Sequence, residues 1–192
     1  MATLGDSLLD AWRIGNRTSI FLVENLPEAL WPLALPAAPR RAVRNVAVHL
    51  HNCRGLWLKS LAKGAGIAPP PALDPRTATR ARTVAALERS GEAILRLLSA
   101  GVANGGELPG VASAFYYGAM PRDALLFCAY ALSHEAHHRG QILVMARQLG
   151  HRLPPEVVGG LWQWSSRSRE ARGAGAPRRR GGSTGARTAR ER

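Results

Sequence analysis

Clusters of proline and glycine divide this chain, and the stretches between them carry the apolar spacing of helices. Proline lacks an amide hydrogen and collides with the preceding helical turn, so such clusters end helices. The clusters are Pro27, Pro32 and Pro36; Gly64, Gly66 and Pro69-Pro70-Pro71; Gly101, Gly105, Gly106 and Pro109; and Gly150, Pro154 and Pro155. They leave four long segments. In the first, about Gly5 to Asn25, Leu8, Leu9, Trp12, Ile20, Leu22 and Val23 recur roughly at helical spacing. The second runs from about Arg41 to Ala62. Asp74-Pro75 reads as the start of the third, with Asp74 as cap and Pro75 at the first helical position. That helix continues through Val84, Leu87, Ile94 and Leu98. Residues 108–120 read as a loop, and Pro121 opens a fourth helix that ends at Leu149. The apolar segment Gly160 to Trp164 is expected to fold back on the body. No run of strands appears, so the prediction is an all-α protein built as a four-helix bundle.

The chain has 192 residues and a formal net charge of +13. That charge first suggests nucleic acid, but its placement weakens the suggestion. From Ser166 onward there are nine Arg and two Glu, a net of +7. This segment is rich in Gly and Arg without apolar periodicity, so 166–192 reads as a disordered tail after a domain spanning 1–165. Nucleic acid contact is expected only through that tail, non-specifically. Charges or prolines interrupt every apolar stretch, and Met1 to Asp6 lacks a basic secretory start. A cytoplasmic protein with no membrane contact is the expectation. Cys53 and Cys128 form neither a disulfide framework nor a CxxC motif.

The chemistry concentrates in Ser133-His134-Glu135-Ala136-His137-His138-Arg139-Gly140-Gln141. His134 and His138 are four residues apart, which on a helix stacks two imidazoles on one face. They continue a stripe of Phe127, Ala131, Gln141 and Met145. Inward-facing histidines are costly unless their ring nitrogens find partners, and a metal ion provides one. On the second helix, Val46, His49, Leu50, Cys53, Trp57 and Leu61 share a face. His49 sits in its middle. His51 lies about 200° around, with Arg44, Ala47, Arg54 and Leu58, so His49 is expected to point inward rather than His51. A lone inward histidine is more often a satisfied core residue. Three from two helices point instead to a metal with open coordination positions, the catalytic arrangement. Cys53 is a core residue, a fourth ligand or a reactive thiol on this reading, with core favoured. Arg139 is placed to bind an acidic neighbour or an anionic substrate, and Gly140 to permit close helix approach.

The strings Val48-His49-Leu50-His51-Asn52-Cys53-Arg54-Gly55-Leu56-Trp57-Leu58 and Ser133 to Ile142 resemble the DinB-like superfamily, the DinB/YfiT-like metalloenzymes. The ending Leu153 to Trp164 is similar to one branch of it. The resemblance covers about Leu4 to Trp164. It implies an up-down-down-up four-helix bundle and one divalent metal on three histidines, which map by motif onto His49, His134 and His138. It further implies a homodimer and a metal-dependent thiol S-transferase, isomerase or hydrolase acting on a small molecule, in some relatives with a small-molecule thiol. Three imidazoles suit zinc, nickel or iron(II) without choosing among them. Glu135, Cys53 and Tyr116 are candidate catalytic groups by sequence proximity alone.

Two other readings compete. His134 to His138 spells H-E-x-x-H, the zinc-peptidase signature with Glu135 as base. A metzincin would continue with Gly and His where this chain has Gln141 and Val144, and Pro154 and Pro155 interrupt any ligand helix toward Glu156. A non-catalytic nucleic-acid module would use the arginines, but the tail lacks interleaved aromatics and no recognition helix is evident.

Overall fold

A computed structural model describes residues 2–63, 65–110, 114–115, 118–119 and 121–173. Among these, the protein is all-α with six helices: α1 (Leu4–Glu24), α2 (Val43–Leu61), α3 (Arg80–Ala103), α4 (Ala124–Gln148), α5 (Pro155–Gly160) and α6 (Trp164–Gly173). The only strand pairing among them is a two-residue antiparallel ladder, β1 (Ala114–Phe115) against β2 (Gly118–Ala119), inside the expected loop. α1 packs on α3, α4 and α6, while α2 packs on α3 and α4. No helix of the described residues is long and apolar enough to cross a membrane.

Local chemistry sets the helix ends. Thr3 and Asp6 form a reciprocal capping box at the start of α1. The third helix begins later than Asp74-Pro75 predicts. Asp74 does organise a single turn, accepting from the Arg76 amide at 2.9 Å. That turn ends where Trp31 Nε1 donates to the Ala78 carbonyl at 2.9 Å, and α3 restarts with the Thr79 hydroxyl capping Arg82 N. α4 likewise starts at Ala124, capped by Asp123, and not at Pro121. Residues 121–123 are occupied elsewhere. The Leu108 amide donates to Arg122 O at 2.7 Å, and the Ala124 amide to Gly106 O at 2.8 Å.

Each long helix contributes to two apolar layers with a polar level between them. One layer contains Trp12, Trp57, Ile94 and Ala131, and the other Ile20, Leu50, Leu87 and Ile142. Between these positions lie Asn16 and Ser19 on α1, Arg54 on α2, Ser90 on α3 and Glu135 on α4. Gly91 allows the close approach that this level needs, because a Cβ there would strike the Asn16 side chain. Its carbonyl accepts from Trp12 Nε1 at 2.9 Å.

The predicted tail boundary at 166 falls inside α6. That helix is docked on α1: the Arg167 guanidinium lies 3.7 Å from the centroid of the Phe21 ring, and Arg17 Nε donates to Glu170 Oε2 at 2.6 Å. Arg167, read as a solvated tail arginine, is only 4% exposed. The rest of the tail, 174–192, lies outside the described residues. The segment before α6 folds back only in part. Gly160 meets Phe21 and Leu161 packs on the core, whereas Trp162 is 86% exposed.

Candidate metal centre

His49 on α2 and His134 and His138 on α4 converge. One ring nitrogen from each lies within 4.8 Å of the other two. His138 Nε2 and His134 Nε2 are 3.1 Å apart, with the rings at 73°. Two imidazole nitrogens sharing one ion at about 2.0–2.1 Å each would stand roughly 3–3.4 Å apart, depending on the angle at the metal. The His49 ring packs edge-on to His138, centroids 4.5 Å apart. His138 is buried, and the other two are partly exposed, so the group reaches from core toward solvent.

The surroundings keep these rings neutral. Burial pushes His134 down to about 4, with His138 and His49 adding like-charge repulsion. Burial first, then neighbouring histidine charge, lowers His49. His138 is also lowered, by burial, against an opposing hydrogen bond from Gln141. Neutral imidazole is the metal-binding form. His134 Nδ1 is buried with no hydrogen-bond partner among the described residues. Three neutral ring nitrogens that converge in this way are a donor set that fits a divalent transition ion. Trp57 and Tyr130 wall the site, their ring centroids 5.1 and 6.3 Å from that of His134.

His51 does not join the group. It is 1% exposed, and its Nε2 donates to the Pro71 carbonyl at 2.9 Å. With Asn52, which exchanges two hydrogen bonds with Leu73, it pins the proline segment against α2. The helical spacing ranks His51 as the less inward of the two histidines, yet it is buried. α2 is buried on that side too, because Arg54 and Leu58 of the mixed face are fully inside.

Glu135 is turned into the bundle, toward α1 and α2. It is 0% exposed, and both carboxylate oxygens are taken. Oε1 accepts from Arg54 Nε at 2.7 Å, and Oε2 accepts from Ser19 Oγ at 2.6 Å. Arg139 completes the cluster, donating to Ser19 Oγ at 2.8 Å and lying 3.9 Å from Glu135, the acidic neighbour expected for it. Arg54 also donates to Asn16 Oδ1 and Leu87 O, so one guanidinium ties all four long helices. Sequence reasoning missed Arg54. An arginine on a helix flanked by Leu50, Trp57 and Leu58 was the available signal.

Cys53 Sγ is 3.2 Å from His49 Nε2, yet Cys53 is outside the converging group. Burial, helped by the Glu135 charge, pushes its thiol up to about 11. It is protonated at neutral pH and a weak nucleophile. Gly140 is exposed and a Cβ there would meet nothing, so it does not serve helix approach. Tyr116 lies outside the described residues.

A helical protein with three converging histidines on two helices has the form of a scaffold that could hold a metal ion. The chain matches the family model of the DinB family over residues 1–170, and it belongs to that family. No curated protein matches it.

Proposed function

We propose that this chain is a divalent-metal-dependent enzyme acting on a small molecule, of the thiol S-transferase or hydrolase type. The convergence of His49, His134 and His138 carries the reading. Three neutral imidazoles leave positions open for solvent or substrate, and zinc, nickel or iron(II) all suit them. A bound ion would supply Lewis acidity and lower the pKa of a coordinated water or thiol. The chain's own part is to hold three lone pairs in place and to wall one side of the group with Trp57 and Tyr130, which pack edge to face. The H-E-x-x-H peptidase reading loses support, since Glu135 has both oxygens engaged in a closed ion cluster.

The reading extends to architecture and setting. The four long helices form an up-down-down-up bundle, and the domain is followed by a basic tail with at most non-specific nucleic acid contact. The protein is cytoplasmic and acts as a homodimer. Leu125 and Leu126, 49% and 59% exposed at the start of α4, are apolar surface that a second copy would cover.

Metal analysis of the purified protein beside His49→Ala, His51→Ala and His138→Ala variants tests the site. One ion per chain is expected in the parent and in His51→Ala, with loss in the other two. Full retention in all three variants would sink the proposal. A screen of thiol cofactors with electrophilic substrates then tests the reaction class.

A further inference from the structure

Gln141 lies one turn beyond the ligand pair and bridges two histidines. Its Oε1 is 2.8 Å from His138 Nδ1, and its Nε2 is 2.8 Å from His137 Nε2. A primary amide has one accepting end and one donating end. It therefore imposes opposite protonation on the two rings it touches. The oxygen end requires a proton on His138 Nδ1. That leaves the lone pair of His138 on Nε2, the atom 3.1 Å from His134 Nε2. The nitrogen end requires a lone pair on His137 Nε2, which places the His137 proton on Nδ1. With the amide reversed, His138 would carry its proton on Nε2, facing the other ligands, and could not bind there.

The three histidines differ in this respect. Among the described residues, the outer nitrogen of His134 is buried without a partner, and the hydrogen-bonding contact of His49 is the weak one with the Cys53 thiol. His138 alone has its outer nitrogen held by a strong acceptor. Resting on the three-histidine reading, we infer that Gln141 is a positioning residue that selects the tautomer and ring orientation of His138, with His137 holding the amide. The outer partner of a ligating imidazole fixes its tautomer and raises its basicity, and losing such a partner typically costs about 10–100-fold in metal affinity.

Zinc affinity of the full chain, measured by competition with a chromophoric chelator, tests this in Gln141→Met, Gln141→Glu and His137→Ala. Gln141→Met removes the acceptor at similar volume and is expected to weaken binding about 10–100-fold. Gln141→Glu keeps an acceptor for His138 Nδ1–H and should retain most of the affinity that Gln141→Met loses. His137→Ala should show the smaller loss. Ring-nitrogen NMR of the metal-free protein should find His138 protonated at Nδ1 in the parent and in Gln141→Glu, and a tautomer mixture in Gln141→Met. Unchanged zinc affinity in Gln141→Met overturns the inference. So does equal weakening in Gln141→Met and Gln141→Glu, which would mean packing rather than an acceptor. A parent protein that takes up no zinc, nickel or iron(II) instead overturns the metal reading itself.

Discussion

Arg54 donates from Nε to Glu135 Oε1 across 2.7 Å, and neither side chain has exposed surface. The pair joins α2 to α4 at the level where His49 faces His134 and His138. Removing one partner strands a buried charge, which costs roughly 3–5 kcal/mol. Glu135→Gln should therefore lower the urea midpoint sharply, and Arg54→Met should do the same. The double variant Arg54→Met/Glu135→Leu should recover much of the loss. Single variants as stable as the parent would show that the pair is not the clasp described.

Metal binding should raise stability by mass action. An ion present at a hundred times its Kd adds about 2.7 kcal/mol to the native state. Zinc is expected to raise Tm in the parent, a chelator to reverse the rise, and His138→Ala to abolish it. A Tm indifferent to zinc in the parent would count against the site.

Acid should weaken the metal-free protein within a defined window. His134 falls from an ordinary 6.5 to about 4 in the folded chain, chiefly through burial. At pH 7 both states hold the ring neutral, so it adds no slope there. Below 6.5 the unfolded chain takes up a proton that the folded chain refuses, so stability is lost as pH falls toward 4. His49 and His138, lowered in the same direction, add to the loss. The urea midpoint should drop between pH 6.5 and 4, and His134→Phe should flatten part of that drop. A parent profile that stays level across the window would contradict the burial of these rings.

Two truncations separate α6 from the residues after it. Ending the chain at Gly173 should change stability by less than about 0.5 kcal/mol. Ending it at Ser165 uncovers Phe21 and removes the Arg17–Glu170 ion pair. That should cost on the order of 1–3 kcal/mol through lost burial. Urea unfolding of both chains checks this. Equal stability would mean that α6 is not docked.

Much of this arrangement is legible in the sequence. The proline and glycine clusters mark the four long helices to within a few residues, except at Asp74-Pro75. There a local turn signal was genuine, but the Trp31 indole claims the Ala78 carbonyl and delays the helix. Helical spacing alone set His134 and His138 on one face, and the face of Val46, Leu50, Cys53 and Trp57 singled out His49. Arginine-rich composition misled at the C-terminus, because Arg167 and Glu170 find partners on α1, far away in sequence.

What the sequence determined by itself was periodic: which segments are helical, and which histidines share a stripe on each helix. Such properties depend on neighbours one turn away. What the tertiary structure decided was pairwise and long-range. It brought His49 against a pair of histidines 85 and 89 positions further along the chain. It set His51 Nε2 on a loop carbonyl, and it turned Glu135 from a presumed base into the partner of Arg54. A carboxylate and a guanidinium carry no signal of each other along the chain. Only when four helices exclude water from one level must those two charges meet, and that requirement turns Glu135 away from the side of α4 that carries His134 and His138.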